Sequence, residues 1–169
     1  TPLLNSKKWG VLLEAVDRLS ANDCSEVIWL AFHTEQDASL WDDLRNRDLI
    51  PEGLDRRSVQ MQAESLEQVQ SLFSESALVI AMRLHALILA ATAGCPTAAL
   101  SYDPKVKAAA QLAALPWVDL NDALDVDRLS RQWQSVMTAD RSDSDIEQLK
   151  RDAQLHEEML VEELQKLSA

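Results

Sequence analysis

Ala77-Leu78-Val79-Ile80-Ala81-Met82-Arg83-Leu84-His85-Ala86-Leu87-Ile88-Leu89-Ala90-Ala91-Thr92-Ala93-Gly94-Cys95-Pro96-Thr97-Ala98-Ala99-Leu100 is the stretch that decides the fold. Residues 77–81 are an apolar run of strand length with no polar side to offer to water. Residues 84–93 are again nearly all apolar, but the run is long, rich in leucine and alanine, and ends at Gly94 and Pro96. Those are the marks of a buried helix and its stop. Residues 97–100 then return to strand length. Two strands apolar throughout, joined by a helix, pair in parallel and are covered on both faces.

The same alternation extends in both directions. Residues 6–19 read as an amphipathic helix with Trp9, Leu12, Leu13, Val16 and Leu19 on one face. A continuous apolar strand is predicted over 26–32, ending at His33, and a helix over 35–47 with Leu40, Trp41 and Leu44 inward. A weaker strand follows at 58–62, then a short helix over 66–73 capped by Ser65. Asp103 is placed to cap, and Pro104 to open, a helix running to 114. A last short strand is predicted at 116–120, and only helices after it, at 126–137 and 144–167.

The reading is one doubly wound α/β domain, Rossmann-like, with right-handed crossovers. It spans 1–122, and a helical extension spans 123–169. The acidic run 140–145 is read as a solvated hinge, and the last helix is expected to pack back on the domain. A doubly wound domain normally opens with a strand whose C-terminal end carries the first ligand loop. Here residues 1–5 look like that loop without its strand, so the sheet is expected to lack its first strand, with a whole domain preceding it. An opening at Thr1 without methionine is expected of a fragment or a processed product.

Composition narrows the function. The 169 residues carry 28 acids against 16 bases, a formal charge of −12. Nucleic acid is excluded as a partner, because its affinity depends on clustered Lys and Arg neutralising phosphates. A small anion is not excluded, since a local arginine outweighs the global sign. No apolar run approaches the roughly 20 residues that span a bilayer, and no secretory signal opens the chain, so a cytoplasmic location is expected. Cys24 and Cys95 form neither a CxxC nor a zinc pattern and are read as two buried thiols in a reducing compartment. Three glycines leave no GxGxxG or P-loop cradle, and no GxSxG, HExxH or calcium loop occurs. No cofactor and no metal are expected. Trp9, Trp29, Trp41, Trp117 and Trp133 fall at inward positions and are read as core.

In an open parallel sheet, ligands sit outside the carboxyl ends of the strands. Arg83 and His85 follow the 77–81 strand, Tyr102 and Lys105 follow the 97–100 strand, and His33 follows the 26–32 strand. Topology alone brings these positions to one edge. Arg83 has the planar fork that holds a phosphate or carboxylate, and a helix N-terminus adds unpaired N–H groups and a positive dipole. The plainer reading of Arg83 is an ion pair with Glu64 or Glu75. His85 titrates near neutrality and suits proton transfer, against a plainer reading as a satisfied core histidine. Positions i and i+2 do not share a helix face, so both reach one pocket only if the helix starts near Leu84. Lys105 and His33 are equally readable as surface groups, Tyr102 as loop packing, and His156 as solvent-exposed.

Arg83-Leu84-His85-Ala86-Leu87-Ile88, Ala90-Ala91, Gly94-Cys95-Pro96 and Ser101-Tyr102-Asp103-Pro104-Lys105-Val106 resemble the polysaccharide pyruvyl transferase family, in particular its CsaB-like branch. Phe32-His33-Thr34-Glu35-Gln36-Asp37 is a weaker third match, and the resemblance spans residues 1–122. The resemblance implies the C-terminal half of a GT-B-like enzyme, two Rossmann-like domains facing across a cleft. It implies transfer of a pyruvyl group from phosphoenolpyruvate to a sugar of a cell-surface polysaccharide precursor, lipid-linked or nucleotide-linked, as a pyruvate ketal. Arg83 would then hold the donor's phosphate or carboxylate, and His85 would act as general acid or polarise the enol carbon toward an oxocarbenium-like state. The acceptor site would need the missing N-terminal domain, so this piece alone is expected to be inactive. Two other readings stand beside it. One is the nucleotide-sugar half of a true GT-B glycosyltransferase, with Arg83 and Lys105 on a diphosphate. The other is a non-catalytic interaction module using its acidic C-terminal helix.

Overall fold

Helices and parallel strands alternate through a computed structural model that describes residues 5–32, 37, 39–62 and 64–139. The order is α1 (Ser6–Asn22), β1 (Val27–Ala31), α2 (Leu40–Asn46), α3 (Glu52–Arg56), β2 (Ser58–Gln62), α4 (Leu66–Glu75) and β3 (Val79–Ala81). It continues with α5 (Leu84–Thr92), β4 (Thr97–Ser101), α6 (Pro104–Leu112), β5 (Trp117–Asp119) and α7 (Val126–Thr138). All strand pairs are parallel, as an alternating α/β chain of apolar strands requires.

The hydrogen-bonded ladders form two sheets. β1 pairs with β2, and β3-β4-β5 form the second sheet in that order. In the second, Ala81 lies opposite Ala99 and Leu100 opposite Val118, so the C-terminal ends of all three strands stand at one edge. β4 is buried at every residue, as the central strand of three must be. Its side chains alternate between two cores. Ala98 and Leu100 join Trp9, Leu13, Leu129 and Trp133 of α1 and α7 on one face. Ala99 joins Phe73, Leu87, Ala90 and Ala110 of α4, α5 and α6 on the other. That is the doubly wound, Rossmann-like arrangement, with helices on both faces.

Local chemistry sets the element ends. Asn5, Ser65, Asp103 and Asp125 each accept a backbone N–H of the helix that follows, at 2.9, 3.2, 2.7 and 2.8 Å. Each such cap satisfies one of the donors a helix start leaves unpaired. Gly94 takes φ 75° after α5, the left-handed geometry that costs glycine nothing. There the Cys95 N–H reaches back to the Ala90 carbonyl at 3.1 Å and closes the helix.

Several expectations change. The helix predicted over 35–47 is described only as α2, because residues 33–36 and 38 lie outside the described residues. Helix α3 was not anticipated; five residues are too few to show a period, though Pro51 before it was a usable start signal. The acidic run 140–145, the helix expected over 144–167 and His156 also lie outside the described residues. Cys95 is buried, but Cys24 is exposed, because it sits at φ 51° in the turn between α1 and β1. Trp9, Trp41 and Trp133 are core, whereas Trp29 and Trp117 are half-buried. Trp29 instead donates to Ser58 Oγ at 3.0 Å, and the Lys107 ammonium lies 4.5 Å from the Trp117 ring centre.

Trp133 is the largest fully buried side chain, and its indole N–H has no acceptor among the described residues. Its contribution is therefore packing. Trp133→Ala should lower unfolding free energy by about 3–5 kcal/mol, and Trp133→Phe by clearly less, measured by urea denaturation.

Candidate functional site

Two turns of the same design lie side by side at the C-terminal edge of the larger sheet. Met82 and Arg83 join β3 to α5, and Tyr102 and Asp103 join β4 to α6. Because β3 and β4 are hydrogen-bonded neighbours, the N-cap residues Arg83 and Asp103 occupy equivalent places, with Tyr102 one residue before Asp103. Arg83 is the N-cap residue of α5, with extended backbone at φ −101° and ψ 137°. The helix does start at Leu84, the boundary that the Arg-x-His reading needs.

The Arg83 guanidinium donates to Asp37 Oδ1 at 2.5 Å, and the two side chains are 28% and 14% exposed. Asp37 takes the place that the sequence offered to Glu64 or Glu75. It lies between β1 and α2 and was visible only as the last residue of the weakest family match. The hydrogen bond that Arg83 donates to Asp37 raises it above the ordinary arginine value, against burial, with electrostatic attraction to Asp37 and the nearby Tyr102 adding to it. Arg83 therefore stays cationic at every accessible pH.

The other candidates fall as follows. His85 is the second residue of α5 and is exposed. Tyr102 is half-buried against the core of α1, β4 and α7. Lys105 is exposed on the first turn of α6, its backbone N–H held by Asp103. His33 lies outside the described residues. The structure thus brings Arg83, Asp37 and Tyr102 together, with His85 one helical step away and Lys105 on the neighbouring turn.

The N-cap side chains of α1, α4, α6 and α7 accept a first-turn N–H, whereas among the described residues those of α2, α3 and α5 do not; of these three only α5 opens at the carboxyl edge of the larger sheet. The first-turn N–H groups of α5 point out at the edge where Arg83 stands, which is the arrangement that holds an anion. Among the described residues no group of three or more His, Cys, Asp or Glu could hold a metal ion. No described helix is long and apolar enough to cross a membrane.

A parallel α/β sheet with helices on both faces, and an arginine opening a helix at its carboxyl edge, is a domain of the doubly wound class. Residues 3–104 match the polysaccharide pyruvyl transferase family, and the chain belongs to that family. The match runs through Asp37, Arg83, His85 and Tyr102 and stops one residue before Lys105. No curated protein and no solved structure matches the chain. Membership makes it a transferase-type protein of polysaccharide pyruvylation.

The Arg83–Asp37 pair joins two turns 46 residues apart, so it should be measurable as a coupling. A double-mutant cycle with Arg83→Ala and Asp37→Ala should give an interaction of about 0.5–3 kcal/mol by urea denaturation. Additive effects would mean that the pair does not tie the two turns together.

Proposed function

We propose that this chain is the donor-binding half of a cytoplasmic polysaccharide pyruvyl transferase that takes its pyruvyl group from phosphoenolpyruvate. The observation that carries the reading is the start of α5. It has no side-chain cap, and its N-cap residue is the partly buried, permanently charged Arg83.

Phosphoenolpyruvate presents a phosphate and a carboxylate, and each matches a guanidinium fork and a set of helix N–H groups. Five N–H donors let one guanidinium hold an anion while Asp37 keeps it oriented. Tyr102 stands beside Arg83 as a neutral donor to the same anion. Lys105, on the adjacent helix start, adds positive charge, and His33 follows β1 in sequence.

The reaction needs a proton at the donor's methylene carbon. His85, exposed next to Arg83, supplies it as general acid. As the C–H bond forms and the double bond opens, positive character develops at the central carbon. A sugar hydroxyl adds there and releases its proton, which restores the imidazolium. Phosphate leaves with the electrons of its C–O bond, and a second hydroxyl closes the ketal, its proton departing with the phosphate. The sugar, on a lipid or nucleotide carrier, is held against this edge by a second domain, so the chain alone binds donor without turnover.

Two measurements test the assignment. Phosphoenolpyruvate added to this chain should shift the His85 ring resonances, and Arg83→Ala should weaken that binding at least about tenfold, the scale of one lost charge-assisted hydrogen bond. A response to a UDP-sugar alone would move the chain to nucleotide-sugar chemistry. In the intact enzyme, His85→Ala should lower kcat by roughly 10²–10⁴-fold while the KM for phosphoenolpyruvate moves little. Unchanged turnover would remove His85 from the reaction.

A further inference from the structure

The two sheets face each other across a groove of about 790 Å³. β1 forms one wall, from Val27 to Ala31, and β3 forms the other, with Leu78, Ile80 and Met82. Trp9, Leu12 and Leu13 of α1 cover one side, and Phe73 and Ala86 of α4 and α5 cover the other. Among the described residues no ladder joins β1 to β3. β1 reads in sequence as a fully covered strand, yet all five of its residues are only half-buried.

Backbone parity shows what the groove lacks. The Val27 N–H donates to the Arg57 carbonyl and the Val79 N–H to the Pro96 carbonyl, at 2.8 and 2.9 Å. In a parallel ladder alternate residues turn their N–H and C=O to opposite sides. Val27, Trp29 and Ala31 therefore serve β2, while Ile28 and Leu30 turn toward the groove. Val79 and Ala81 serve β4, while Ile80 and Met82 turn toward the groove. Two rows of backbone donors and acceptors thus face one another across an apolar gap.

We propose that this groove is the seat of a sixth strand, an extended apolar segment leading directly into α1. It pairs in parallel with β1 on one side and β3 on the other, giving one sheet of order β2-β1-strand-β3-β4-β5. A small apolar ligand fills volume but leaves both backbone rows unpaired, whereas a strand satisfies both. A second copy of the chain does not fit, because a strand in the slot uses both of its edges and cannot remain in another sheet.

The connection is available. The Lys8 ammonium in the first turn of α1 donates to the Leu120 carbonyl, just past the C-terminal end of β5. Polypeptide entering α1 therefore arrives at the carboxyl edge, where a strand parallel to β1 and β3 would finish. From there α1 returns the chain to β1 as a right-handed crossover. In the completed sheet the strand order reverses between the new strand and β3, so Arg83 stands at the topological switch point.

The test uses the labelled full chain with an N-terminal extension, a five-residue valine–isoleucine strand on a short Gly/Ser linker. One control is a Gly/Ser extension of equal length, and another carries proline at alternate strand positions. Amide exchange is read at Ile28, Leu30, Ile80 and Met82, with Val27, Val79 and Ala99 as paired references. In the bare chain and both controls the four amides should exchange fast, and the strand extension should slow them at least about tenfold, as expected for newly paired edge amides. Three results would overturn the proposal. They are no slowing by the strand, equal slowing by the proline version, or protection in the bare chain that grows with its concentration.

Discussion

Parallel pairing is the constraint from which the rest follows. Parallel strands cannot be joined by a tight hairpin, so each needs a helix to carry the chain back. Every strand then ends at the same edge, and every helix begins there. β3 and β4 deliver Arg83 and Tyr102 to the same edge for that reason. The same rule sends the loop after β1 to this edge, where Asp37 meets Arg83. One backbone geometry thus gathers groups that are far apart in sequence, and the helix starts provide N–H groups among them.

The chain's strong negative charge and the anion site proposed at α5 are compatible because they act over different distances. Surface charges are screened beyond about 10 Å at ordinary salt, whereas a partly buried guanidinium acts on its neighbours through little water. Asp37 offsets Arg83 without burying it completely, and the first-turn amides of α5 add positive potential that salt screens poorly at contact. The acids elsewhere, such as Glu14 and Asp127 around Arg18, lie on exposed faces and serve solubility and surface pairing.

Most of the fold was legible because its signals were local. The all-apolar 84–93 run with Gly94 behind it, the Asp103-Pro104 start and the Ser65 cap each carry their own mechanism, and each stands where it was read. Arg83 and the start of α5 were legible for the same reason. Asp37 was not, since an acid among 28 acquires a role only when folding brings a cation to it. The exposure of Cys24 depends on a left-handed turn without glycine, which no pattern in the sequence announces. The break between β1 and β3 is a property of sheet order, which alternation alone does not reveal, and residues 1–4, read as part of a first ligand loop, lie outside the described residues.

The uncapped start of α5 ties ligand occupancy to the lifetime of the fold. A missing N-cap leaves about 1 kcal/mol of helix stability unclaimed. An anion seated on those amides, as proposed above, would recover it as part of its binding free energy and stabilise the fold by RT ln(1 + [L]/Kd). The melting temperature of the domain would then report how full the site is. Inside a cell the same coupling would make resistance to proteolysis rise and fall with the supply of the anion, so that the protein's abundance would carry a record of its reactant.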